Sequence, residues 1–168
     1  MQTPGWALLI SFWLHMVATV AWLGGLAAVS LWVIPSMQKA LPADQYAKWL
    51  LSLNKRLDTV GWFSLAVLIF TGLVQMGANA NYTGLLSFAN NWAVAILLKH
   101  LVFFGMIGVS ALITWKVSPA LQRAAIRRAI GKVSEEEEVL TRRLQKLIAL
   151  NLLLGVFVLA FTALARIA

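Results

Sequence analysis

The chain holds two histidines, His15 and His100, each embedded in apolar sequence, SFWLHMVATV and ILLKHLVFFG. A neutral imidazole offers one nitrogen lone pair, so two of them facing each other can ligate a metal ion or complete the axial coordination of an iron porphyrin. Lys99 stands beside His100, and Met16 beside His15, while Gln75 and Met76 close a further apolar run. Soft thioethers next to imidazoles are what copper asks for. Met16 follows His15 directly and so points about 100° away from it on a helix, which suits packing. Lys99 has two readings. Its ammonium snorkels toward headgroups, or it meets an anion. No Asp or Glu lies in the outer half of any apolar run, so that anion would belong to a ligand, such as a porphyrin propionate. The absence of cysteine excludes disulfides, thiolate metal sites and cysteine nucleophiles.

The segments carrying these residues are too apolar for water. Of 168 residues 61% are hydrophobic and 12% charged, with a mean hydropathy of +0.81. Four runs, roughly 6–34, 59–78, 92–115 and 147–165, reach the length of about 20 helical residues that crosses a hydrocarbon core. The first has no basic residue before it and is too long for a signal-peptide core, so it reads as a retained span. Twelve of the fourteen lysines and arginines fall between the first and second spans or between the third and fourth, whereas NANYTGLLSFANN at 79–91 is uncharged. The positive-inside rule then puts both basic loops in the cytoplasm and both termini outside. This distribution reads as a cytoplasmic rim, not as a nucleic-acid surface.

These features predict an all-α integral membrane protein, a four-helix up-down bundle forming one domain over 1–168 in the cell (cytoplasmic or inner) membrane. His15 lies nine residues inward of Trp6 and His100 eight inward of Trp92. At 1.5 Å per residue both imidazoles sit about 12–13 Å deep, on helices that are diagonal across an up-down bundle. Trp22 on the face of His15 and Phe104 on the face of His100 can wall a flat apolar pocket. The alternative is that each imidazole simply bonds to a neighbouring helix.

Local signals fill in the outline. Pro35 and Pro42 are expected to end the first helix and Pro119 the third. DQYAKWLLSLNKRLD reads as a short interfacial helix. In SEEEEVLTRR, Ser134 can cap a helix with Glu137 completing the capping box, and Glu138 can pair with Arg142. Gly24, Gly25, Gly105 and Gly108 are expected to let helices approach closely. Trp6 and Trp92 would mark the outer interface, and Trp32 and Trp115 the inner one. No internal repeat is evident.

WLHMVATVAWLGGL, KRLDTVGWFSLAVLIFTGL, LLKHLVFFGMIGVSAL and LIALNLLLGVFVLAFTALA, in that order, are similar to the four helices of the CopD-like (copper-resistance D) membrane proteins. The resemblance covers essentially the whole chain. It implies a first-helix histidine at His15, a third-helix lysine at Lys99, and copper uptake or resistance in the larger members. Related HemJ-type proteins, associated with haem b, share that histidine and lysine. LWVIPSM lacks the Pro-Arg and second histidine of the HemJ group, which speaks against protoporphyrinogen oxidase activity. Asn151 stands where CopD-like fourth helices often carry glutamate.

Three functions are therefore expected to compete. The first is bis-histidine haem b binding by His15 and His100, with Lys99 near the propionates. That protein would transfer electrons with a quinone or with subunits of a membrane redox complex. The second is copper binding or transport, with Met16 or Met76 joining the histidines. The third is a structural subunit. Beyond the lipid bilayer and such redox partners, no nucleic-acid partner is expected.

Overall fold

The computed structural model describes residues 4–82, 84, 87–88, 90–129 and 136–168, with the backbone alone at 43, 44 and 129. The helices are α1 (Gly5–Ala28), α2 (Ile34–Ala40), α3 (Ala43–Gly77), α4 (Asn91–Leu112), α5 (Ser118–Ala129) and α6 (Glu136–Ile167). A π turn, Val29–Val33, joins α1 to α2, and another, Ile113–Val117, joins α4 to α5. The result is four continuous rods, Gly5–Ala40, Gln45–Gly77, Asn91–Arg128 and Glu136–Ile167, each long and apolar enough to cross a membrane. The protein is thus a multi-pass helical membrane protein. At 1.5 Å per residue a rod of such length reaches roughly 50 Å, well past a hydrocarbon core of about 30 Å.

Pro35 and Pro119 do not end their helices. Each follows a π turn by two residues, and the helix continues beyond it. A proline has no N–H to donate and its ring crowds the carbonyl four residues back. The wider π turn relieves that crowding, so the rod bends and goes on. Pro42 does break the chain, because Leu41 is extended and α3 begins at Ala43. The π turn with its proline also recurs eighty-four positions later, Val29 to Ile113 and Pro35 to Pro119. The backbone therefore carries a repeat that residue identities hide.

DQYAKWLLSLNKRLD is likewise not a separate interfacial helix but the first half of α3. Its apolar side chains Tyr46, Ala47 and Leu50 are buried, and the side-chain amide of Gln145 on α6 donates to the Tyr46 hydroxyl. The bundle extends past the membrane on its basic side.

The rods pack as two antiparallel hairpins, α1 on α3 and α4 on α6, with lighter contact between α1 and α6. This leaves α1 and α4 as diagonal neighbours, as the alternation of spans predicts. Close approach falls at other glycines than those expected. A Cβ at Gly24 or Gly108 would meet nothing, and one at Gly25 or Gly105 only ordinary contacts. At Gly61 it would lie 3.1 Å from the Trp22 indole nitrogen, and at Gly155 it would overlap the Leu23 side chain.

The core gathers toward the basic end. Leu50, Leu121 and Leu144 are fully enclosed there, and the main apolar cluster runs from them up to Trp22 and Met106. Nearer the termini the apolar cluster among the described residues is small, with Met76, Trp92 and Ala93 buried at its centre. Trp92 is packed within that cluster, whereas Trp6, Trp32 and Trp115 are exposed. The Glu138–Arg142 pair forms as expected. Glu137 instead meets Arg128 at 3.3 Å, and its capping partner Ser134 lies outside the described residues.

Candidate metal site at the terminal end

Hydroxyl-bearing residues on α1 and α3 meet on the helix faces that pack together, about two turns from the end that carries the chain termini. The Ser11 hydroxyl donates to the Thr71 carbonyl at 3.1 Å, and the Gln75 amide donates to the Ser11 carbonyl at 3.1 Å. Thr71 and Gln75 are one helical turn apart and so present their groups on one face of α3. Ser11 and Thr71 are buried.

His15 joins this network through Nδ1, which lies 2.8 Å from the Thr71 hydroxyl oxygen. The single proton of that hydroxyl goes to the Val67 carbonyl at 2.6 Å. Thr71 must then accept from the imidazole, so His15 carries its proton on Nδ1 and its Nε2 lone pair is bare. A hydrogen bond of this kind at the far nitrogen orients a metal-binding histidine and raises its basicity. The Thr19 hydroxyl, bonded to the His15 carbonyl at 2.8 Å, holds only backbone.

His100 ends in the same tautomer by a different route. Its Nδ1 lies 2.7 Å from the Ile96 carbonyl, which can only accept, so in the neutral ring the proton sits on Nδ1 and Nε2 carries the lone pair. No hydrogen bond joins the two imidazoles among the described residues. Lys99 occupies the position before His100 on α4. Lys99 makes no hydrogen bond or salt bridge among the described residues, so the intramembrane ammonium lacks a protein counter-charge.

The expected pocket walls are only half present. Trp22 is buried and meets Phe103 edge-on, with ring centroids 6.2 Å apart. Phe104, next in sequence and so about 100° round the helix, is 64% exposed and faces out of the bundle. Met16 is 60% exposed and also faces outward, away from the imidazole. Met76 is buried against Trp92 and Ala93. Among the described residues no group of three or more histidine, cysteine, aspartate or glutamate side chains comes together. Thr71 is the member of this network that sequence reading passed over. The only signal was a threonine and a glutamine spaced i, i+4 in an otherwise apolar span.

Comparison with known proteins gives one match. The family model described as copper resistance protein D, CopD, covers residues 51–165. That segment includes Thr71, Lys99 and His100, while His15 precedes it. No curated protein and no solved structure matches the chain.

Proposed function

Because the chain belongs to the CopD family, copper resistance protein D, we propose that it binds copper within the membrane and hands it on, with His15 Nε2 as the principal ligand. The observation that carries this reading is the His15–Thr71–Val67 relay, which leaves a bare, oriented nitrogen lone pair among apolar helices. Imidazole suits copper. Lys99 gives the site its transience. A positive charge on Lys99 would weaken the hold on a cation at His15, and conduction needs binding that is favourable but easily left. The copper is cargo, and the inner or cytoplasmic membrane is its setting.

The test is a competition titration of the purified protein with Cu(I). Wild type binds copper, and His15→Gln lowers the affinity at least tenfold while the bundle stays inserted. Equal affinity in the two proteins overturns His15 as the ligand.

A second reading, haem b between His15 and His100, is supported by the two bare Nε2 atoms and by Lys99, which would suit a propionate. The walls do not fit it, since Phe104 faces out and Trp22 already rests on Phe103. Electron exchange with a quinone or a membrane redox complex belongs to this reading alone. A sharp alpha band in the reduced absorption spectrum would select it, and its absence with copper bound would reject it.

A further inference from the structure

A second polar assembly lies at the other end of the bundle and takes no part in the copper reading. Trp22, Asn54, Asp58, Ser110 and Asn151 line a cavity of about 20 Å³ between α1, α3, α4 and α6, roughly the room that one water or small ion occupies. The Asn54 amide donates to Asp58 Oδ2 at 3.2 Å and to the Ser118 hydroxyl at 3.0 Å. The Asn151 amide donates to the Ser110 hydroxyl at 2.9 Å. Its other end, Oδ1, is buried with no partner, on a residue only 2% exposed. An orphaned buried amide oxygen is costly and calls for a partner that the protein does not supply.

Asp58 has the matching deficit in charge. It makes no salt bridge among the described residues, where the ion pairs are those of Arg127, Arg128 and Arg142 with Glu136, Glu137 and Glu138. Its sequence neighbours Lys55 and Arg56 are exposed. A half-buried carboxylate thus faces a cavity with one uncompensated negative charge and one uncompensated oxygen dipole. The cavity also touches Ile113, where the π turn begins, and π turns inside α-helices are frequent at functional sites.

We propose that this cavity is a sodium site, in which the Asp58 carboxylate, Asn151 Oδ1 and the Ser110 hydroxyl hold one Na⁺. The donor set is all oxygen, which favours a hard cation and rejects soft Cu(I). It carries a single negative charge, so a monovalent ion leaves the site neutral and a divalent one does not. The small volume favours Na⁺ over K⁺.

The test uses the purified full chain at constant ionic strength with copper chelated, so that its outcome is independent of the copper reading. Choline is replaced stepwise by sodium or potassium while the melting temperature is followed. Sodium raises it saturably and potassium needs at least tenfold more. Asp58→Asn abolishes the sodium response, and Asn151→Leu moves its midpoint at least tenfold upward. Should Asp58→Asn fail to fold, Asn151→Leu decides alone, and an unmoved midpoint there overturns the proposal. Coincident sodium and choline curves, equal response to potassium, or stabilisation by protons without sodium dependence overturn it as well.

Discussion

His15 and Thr71 act as one unit, and their substitutions separate orientation from ligation. Thr71→Val keeps volume but removes the acceptor at Nδ1, so the imidazole loses its fixed tautomer. Partners of this kind are worth about 10–100-fold in metal affinity, and Thr71→Val should cost that much in a Cu(I) titration, while Thr71→Ser restores most of it. Lys99 gives a sign. If copper binds at His15, Lys99→Met removes a repulsive charge and tightens binding roughly tenfold, about 1.4 kcal/mol, whereas Lys99→Arg changes little. If haem binds, Lys99→Met loosens it by removing the counter-charge of a propionate. One variant therefore separates the readings by direction alone. His15, Lys99 and His100 were legible in the sequence because polar side chains in apolar runs are expensive and conspicuous. Thr71 was not, since a threonine in any helix can bond back to the carbonyl four residues before it. Only the packing of α1 on α3 shows what else it holds.

Among the elements, the four apolar runs gave the rods, and the Glu138–Arg142 spacing gave its ion pair. Helix ends were less legible. A proline predicts a stop because it loses a hydrogen bond, but the register change that accommodates Pro35 and Pro119 is written in no single residue. Glycines misled in a related way. Their lack of a side chain is useful only where another helix arrives, and that is fixed by hairpin geometry. Gly155 is such a place, under Leu23 and Met106. Gly155→Leu should destabilise the bundle by about 1–3 kcal/mol through overpacking, read as a lower melting temperature. Leu23→Ala in the same chain should recover much of that loss, because the clash is with a side chain able to be shortened. Recovery by a distant substitution such as Leu159→Ala would contradict this account.

For the whole molecule, basic residues gather at one end of the rods, and this predicts a direction of insertion. A reporter that is active only outside the cytoplasm should be active when fused at Ala168 and silent when placed between 120 and 129. Silence at Ala168 would reverse the orientation. The same long axis carries a gradient of packing. Buried side chains crowd the basic end, whereas α6 has none beyond Gly155 and α4 none between Ala95 and Met106. Over that stretch α4 and α6 have few protein neighbours, so in a bilayer acyl chains would cover them. If copper binds at His15, the bilayer becomes a working part of the binding centre, and lateral pressure from the acyl chains would set how closely the two hairpins lean together. Copper affinity should accordingly rise or fall with acyl-chain length in reconstituted vesicles, while the melting temperature, governed by the basic end, stays nearly constant.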